Sequence, residues 1–297
     1  MFEIKQLTEN TFFYEAYSNV GIHRINEKEV VLIDACDHKR MVTGLDKLLG
    51  GMGLSVNTII DTHCHVDHTC GNKYFKDKYG CRVLCTRLEQ GFIYKPDMEP
   101  HFYNVGLSVD KLRIPFFQVE PVEAEVITKD NLPEGFEVID LPGHSFEMIG
   151  VRTPDDVLFL ADSLISELTW ENYKLPFFYD VDKQLETLEM LKTVKARLYV
   201  PSHCSPMEDI SGLIQYNIDK LREKRQMVFE LCQSQSFEGL FELVVKDQEI
   251  DMRMSKYSMY AVMIRNLLQS LINAGKVYTA YENGRVIYRT RSYADDR

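Results

Sequence analysis

The sequence predicts an α/β (α+β) fold with a smaller helical unit at its C-terminal end. Three observations carry the prediction. Short apolar runs, Val56–Ile60, Val138–Leu141, Val157–Leu160 and Leu198–Val200, recur at strand-like length, and each has a His or Asp within the next three residues. Stretches with helical spacing lie between them, as in a sheet covered by helices. Past residue 207 the pattern changes to long amphipathic helices and a terminal hairpin.

Taken in order, Phe12 to Tyr17, Val20 to Ile25 and Val30 to Asp34 read as strands. The turn Asn26-Glu27-Lys28-Glu29 makes the last two a hairpin. A helix over 39–49 is expected to stop at Gly50-Gly51. The strand at 56–61 follows, then a helix from Asn72 to Tyr79 stopped by Gly80, a strand at 81–85 and a helix at 86–94. Strands at 136–141, 146–152 and 157–161, a helix at 182–195 and a strand at 198–201 make the second half. Two segments resist the scheme. Residues 95–120 carry Pro96, Pro100, Pro115, Phe102, Tyr103, Phe116 and Phe117, and residues 166–180 carry Trp170, Tyr173, Phe177, Phe178 and Tyr179. Long irregular segments of this kind are packing loops or the walls of binding sites.

The C-terminal part reads as a helix over 209–234, a shorter one from Phe237 to Lys246, and a third capped by Ser255 and running to Asn273. Lys276 to Tyr281 and Arg285 to Thr290 alternate like strands around Glu282-Asn283-Gly284, a hairpin turn signal. The expected division is 1–207 and 208–297.

Hydrophobic content of 45% and charged content of 27% are those of an ordinary globular chain. Met-Phe-Glu-Ile-Lys lacks the basic and apolar regions of a signal peptide, and no apolar run reaches bilayer length. Seven cysteines without framework spacing favour reduced thiols, so a cytoplasmic protein with no membrane partner is expected. Cys81 and Cys85 read as small buried hydrophobes.

Residues 61–68, Asp-Thr-His-Cys-His-Val-Asp-His, are the most informative stretch. In an extended segment side chains alternate, so His63 and His65 point one way and Cys64 the other. Asp67 and His68 follow where the chain must turn. Imidazoles and a carboxylate together suit a divalent metal such as zinc. Pro142-Gly143-His144, Ala161-Asp162 and Pro201-Ser202-His203 each follow an apolar run and bring further ligand types to strand ends. Five of the eight histidines are thereby placed, while His23, His38 and His101 read as ordinary surface or loop residues.

This ordered set, H-x-H-x-D-H at 63–68, Gly-His at 143–144, Leu-Ala-Asp at 160–162 and Pro-Ser-His at 201–203, resembles the metallo-β-lactamase superfamily, and within it the glyoxalase II-like hydrolases. The resemblance spans about residues 1–205 and implies a four-layer αββα sandwich. It implies two divalent metal ions, zinc first, with iron or manganese as alternatives. His63, His65 and His144 would hold one ion, Asp67, His68 and His203 the other, and Asp162 would bridge them. Glutamate at the second ligand position marks the flavodiiron branch; His65 sets that reading aside. The C-terminal helices and hairpin are similar by pattern to a winged-helix unit, as in the β-lactamase-like-protein-2 branch.

The expected function is a binuclear hydrolase that uses a metal-bound hydroxide on a small acyl substrate, a thioester, lactone or ester, with Asp67 catalytic as well as ligating. A glutathione thioester is not assigned, because the residues that read glutathione in glyoxalase II have no match here. The alternatives are a single-stranded RNA or DNA nuclease and an iron-dependent sulfur dioxygenase. Charge weighs against nucleic acid: residues 205–297 hold 13 Lys and Arg against 13 Asp and Glu, so the net −11 falls on residues 1–204. Residues 208–297 are expected to shape the substrate pocket or a homodimer interface.

Overall fold

The computed structural model describes residues 3–103 and 119–291. Pro115, Phe116 and Phe117, and the side chain of Ser255, lie outside what is described. The chain opens with an antiparallel meander of β1 (Ile4–Gln6), β2 (Thr11–Tyr14), β3 (Val20–Arg24) and β4 (Glu29–Ile33). α1 (Lys39–Gly51) then crosses over, and β5 (Ser55–Ile60) joins β4 in parallel. Next come α2 (Val66–Thr69), α3 (Asn72–Tyr79), β6 (Arg82–Cys85), α4 (Arg87–Tyr94), α5 (Met98–Tyr103) and β7 (Glu125–Val126). The first sheet runs β1 to β7 in chain order. Its pairing turns parallel where helical crossovers replace tight turns.

The second sheet holds β8 (Glu137–Asp140), β9 (Ile149–Arg152), β10 (Val157–Ala161) and β11 (Leu198–Pro201), in the order β11-β10-β9-β8. α6 (Glu167–Tyr173) and α7 (Val181–Leu191) connect β10 to its parallel neighbour β11. Strand alternation then decides the layers. Val30 and Leu32 of β4 pack with Met41, Leu45 and Leu49 of α1. Val31 and Ile33 face the other way, onto Ile149, Val151 and Phe159 of the second sheet. Leu158 and Leu160 turn outward onto Leu188 of α7. The result is the expected helix–sheet–sheet–helix stack. Each fully buried aliphatic side chain contributes roughly 1.5–3 kcal/mol. The sheets approach closely enough at β3 that a Cβ on Gly21 would lie 2.7 Å from the Phe159 ring.

The C-terminal part comprises α8 (Ser211–Cys232), β12 (Ser234–Ser236), α9 (Phe237–Asp247), α10 (Met254–Asn273), β13 (Val277–Glu282) and β14 (Arg285–Thr290). Its strands pair in the order β12-β14-β13. Glu282 opposes Arg285, and Asn283 and Gly284 both have positive φ, 50° and 75°, as a two-residue hairpin turn requires. Buried side chains run without interruption from Leu160 and Leu188 to Ile218, Leu267 and Val277, so these helices share the core on the outer face of the second sheet.

Several expectations shift by a few residues. β2 ends at Tyr14, which frees residues 15–19 to loop toward the second sheet. α1 runs through Gly51, and the left-handed residue after it is Gly53. β9 starts only at Ile149, because residues 143–147 are taken up by the loop carrying His144. α10 starts at Met254 with Arg253 as its cap residue, so Ser255 falls inside the first turn. The edge strands β1 and β7 and the short helix α5 are too brief to leave a periodic signal.

The two sheets are tied at the end away from α2. Asp155, between β9 and β10, accepts hydrogen bonds from Thr8 and Thr11 of the first sheet and from Thr153 at 2.8 Å. His23, expected on the surface, is buried here, with Nδ1 2.8 Å from the Thr11 hydroxyl. Burial works against the Asp155 charge, but these hydrogen bonds and nearby His23 outweigh it and hold the carboxyl at about 2. A folded pKa below the unfolded value of about 3.9 contributes stability that is present above that value and lost as pH falls through the folded pKa. Asp155→Ala is therefore expected to cost on the order of 2 kcal/mol at neutral pH, with the difference from wild type shrinking below about pH 4. Urea melts at pH 7 and pH 3.5 check this; an equal cost at both would show that the carboxylate charge is not the source.

Candidate metal centre

The loop after β5 places His63 and His65 side by side, with His63 Nε2 3.1 Å from His65 Nδ1. His144 reaches the same point from the loop before β9, its Nε2 2.9 Å from His65 Nδ1. That loop can lie so close to α7 only because residue 143 is glycine: its φ is +136°, and a Cβ there would be 2.5 Å from Gln184 Cα. Asp67 and His68 come from α2, Asp162 from the end of β10 and His203 from the loop after β11. The seven ligand-type residues fall into two groups, His63, His65 and His144, and Asp67, His68, Asp162 and His203, each with its ligand atoms within 4.8 Å of one another. Asp162 lies between them: Oδ2 is 3.5 Å from His144 Nε2 and 3.2 Å from His203 Nε2, while Oδ1 is 3.4 Å from His68 Nε2.

Each imidazole has its outward nitrogen occupied. His144 Nδ1 donates to the Phe177 carbonyl at 3.0 Å, and His203 Nδ1 donates to the Tyr17 carbonyl at 2.7 Å. His68 Nδ1 faces the Asp34 carboxylate at 2.8 Å. Thr62 donates its hydroxyl proton to Asp34 and accepts from His63 Nδ1 at 3.1 Å. His65 Nε2 lies 3.3 Å from the Tyr103 hydroxyl, which in turn donates to Glu99 at 3.2 Å. With a proton on each outer nitrogen, the inner ones all face the same small space and can offer their lone pairs to a metal. Outer hydrogen bonds of this sort fix tautomer and ring orientation in metal sites. His68 Nε2 and Asp162 Oδ1 are buried without a hydrogen-bond partner. Buried polar atoms of this kind are costly unless something satisfies them, and a divalent cation fits both the donor set and the orphaned atoms.

Charge follows the same division. Burial pushes His65 and His144 down to about 4 and His63 well below the imidazole range, so the first group is neutral. Burial also opposes charge on His68 and His203, but the surrounding carboxylates outweigh it and raise both well above that range. Asp67 and Asp162 are held below the carboxylate range against the cost of burial, chiefly by His68 and His203. Protons and a metal compete for these lone pairs, so metal binding here releases protons.

Cys64 points back into the buried layer under the first sheet, as alternation predicts, and burial, with the neighbouring Glu89, raises its thiol well above the ordinary range. Ser18 donates to Asp67 Oδ2 at 2.9 Å. Asn19 fastens the residue 15–19 loop to the second sheet through the Pro201 and Cys204 carbonyls, at 3.0 and 2.7 Å, which sets the position of His203. Sequence reasoning missed Asp34, Thr62, Ser18 and Asn19. Asp34 alone left a signal, a carboxylate ending an apolar strand; the others become visible only when distant loops meet.

Both aromatic segments reach the site. An open cleft is lined by Glu99 and Tyr103 from α5, by Thr169 and Tyr173 from α6, and by Phe177. Met259 of α10 lines it as well, so the C-terminal part contributes directly to the cleft.

Comparison with known proteins agrees with this architecture. Residues 14–203 match the family described as the metallo-beta-lactamase superfamily. A hydroxyacylglutathione hydrolase of Prochlorococcus marinus (strain MIT 9312) is 27% identical over 165 residues, 52% of this chain and 56% of that protein. A beta-lactamase-like protein 2 homolog of Drosophila melanogaster is 23% identical over 212 residues, 71% of this chain and 66% of that protein. The chain thus spans less than two thirds of the length of these relatives. Among solved structures, a metallo-beta-lactamase family protein of Thermus thermophilus superposes with a TM-score of 0.71 at 18% identity, covering 98% of each chain. A beta-lactamase domain protein of Burkholderia ambifaria gives 0.69 at 18% identity, covering 97% of this chain and 94% of that one. At such identities the structural likeness speaks for the fold.

Proposed function

We propose that this chain, which belongs to the metallo-beta-lactamase superfamily, is a hydrolase that holds two divalent ions, zinc first, and cleaves a small thioester, lactone or ester. The observation that carries the reading is the convergence of five imidazole nitrogens, each with its outer partner in place, on two carboxylates. In this reading His63, His65 and His144 hold one ion, Asp67, His68 and His203 the other, and Asp162 reaches both. Bound divalent ions supply Lewis acidity and lower the pKa of water toward neutrality. Asp67, steadied by the Ser18 hydroxyl, accepts a hydrogen bond from the attacking water and orients it. The orientation of Cys64 leaves it no part as a nucleophile. The relatives named hydroxyacylglutathione hydrolase favour a thioester.

The nuclease reading draws on the beta-lactamase-like protein 2 homolog and on a C-terminal part that we read as winged-helix-like and as a unit from about residue 208. Its zero net charge argues against nucleic acid as the partner. No described helix is long and apolar enough to cross a membrane, and a cytoplasmic enzyme, alone or as a homodimer, fits the free cysteines. The test is metal analysis of purified protein followed by hydrolysis assays on thioesters, lactones and phosphodiesters. Two equivalents of zinc and turnover of an acyl substrate with no covalent adduct by mass spectrometry are expected. One iron with oxygen consumption would replace this reading by a dioxygenase. Salt-sensitive cleavage of single-stranded RNA would replace it by a nuclease.

A further inference from the structure

The wall facing the ligand cluster is apolar and is fixed to the cluster itself. The Phe177 carbonyl holds His144, while the Phe177 ring lies edge-on to His65 at 5.8 Å and to Tyr103 at 5.2 Å. Behind that ring, Val262 of α10 closes the cluster, and Met259, one turn earlier, faces the cleft. The wall is anchored from the C-terminal helices at three points. Tyr260 donates to the Tyr173 carbonyl at 2.6 Å, and Asn266 donates to the Phe178 carbonyl at 2.8 Å. Buried Asn217 of α8 accepts from the Ile165 amide and the Trp170 indole, both at 3.1 Å. At the mouth the Tyr17 and Tyr173 hydroxyls meet at 2.9 Å. Among the described residues, the only carboxyl group lining the cleft besides the ligand set is that of Glu99, and no Lys or Arg lines it.

A reacting carbonyl placed at the ligand cluster therefore puts its substituent against Phe177, Ile165 and Met259. That surface rewards apolar burial and offers no described partner to a second negative charge. We propose that the cleft takes an ester or thioester with an uncharged apolar acyl group, and that Met259 on α10 sets the size of the group accepted. The proposal deepens the hydrolase reading and rests on it. Phe177 and Met259 act here as specificity-determining residues: they touch the part of the substrate that does not react.

The test uses zinc-loaded full-length protein and thioesters of one uncharged thiol, N-acetylcysteamine, with acetyl, phenylacetyl and succinyl groups. The kcat/KM for phenylacetyl should exceed that for succinyl by roughly tenfold or more, on the scale by which apolar pockets discriminate. Met259→Trp should lower the phenylacetyl-to-acetyl ratio about tenfold, and Met259→Ala should move the optimum toward larger acyl groups. Equal turnover of succinyl and phenylacetyl thioesters, or an unchanged ratio in both variants, would overturn the proposal. If no thioester is cleaved although zinc is bound, the hydrolase reading fails. The cleft is then judged by the uncharged fluorophore N-phenylnaphthylamine. Binding to wild type that Met259→Trp weakens supports an apolar ligand site, and no binding defeats it.

Discussion

Asp162→Ala is expected to abolish hydrolysis and to lower the metal content of the purified protein. Asp162 is the one residue whose two oxygens reach imidazoles of both groups, at 3.5 Å from His144 and 3.4 Å from His68. Its removal deletes a ligand and also the negative charge that balances His68 and His203. Loss of an outer partner of a metal site costs about 10–100-fold in affinity or activity, and loss of a shared inner ligand should exceed that range. His63→Ala should act through the first group alone. Elemental analysis after dialysis against a zinc buffer, with circular dichroism to establish folding, checks both. A folded Asp162→Ala protein with full metal occupancy would end the bridging assignment.

Asp34→Asn is expected to damage the metal site more than the fold. The Asp34 carboxylate ends β4 and accepts from the Thr62 amide at 2.8 Å, from the Thr62 hydroxyl at 3.0 Å and from His68 Nδ1 at 2.8 Å. An amide of the same shape keeps one acceptor oxygen for Thr62. Its NH₂ group faces His68 Nδ1 and can donate only if that nitrogen gives up its proton. The proton then moves to His68 Nε2, the atom that points into the ligand group. Metal affinity should fall about 10–100-fold with a modest loss of stability. Asp34→Ala should add about 1–3 kcal/mol of destabilisation for each donor left buried without a partner. Competition with a zinc chelator gives the affinity and urea melts give the stability. Unchanged affinity in a folded Asp34→Asn protein would show that His68 is oriented by something else.

Much of the ligand set is legible in the order of residues alone. Ligands delivered at strand ends leave a local signature, because an apolar run with a His or Asp within the next three residues is a short-range pattern. Residues 63–68, 143–144, 161–162 and 201–203 carry it, and alternation alone turns Cys64 away from His63 and His65. The hairpin at Asn283-Gly284 is legible for the same reason, since two adjacent residues with positive φ demand that pair. The four-layer stack does not follow from periodicity; it came with the family resemblance.

What supports and walls the site was decided only by tertiary structure. Asp34 meets His68 across 34 residues of chain, Asn19 meets Cys204 across 185, and the Tyr17 carbonyl meets His203 across 186. A hydrogen bond to a backbone carbonyl leaves no side-chain signature at the acceptor, so Phe177 and Tyr17 could not be assigned their orienting roles from residue type. Met259 lies on a helix whose spacing reads as plain packing surface, and it lines the cleft because α10 is docked against α7 and α8. The ligand types are thus properties of short segments, whereas their tautomers, their charge and the shape of the cleft come from contacts between segments far apart in the chain.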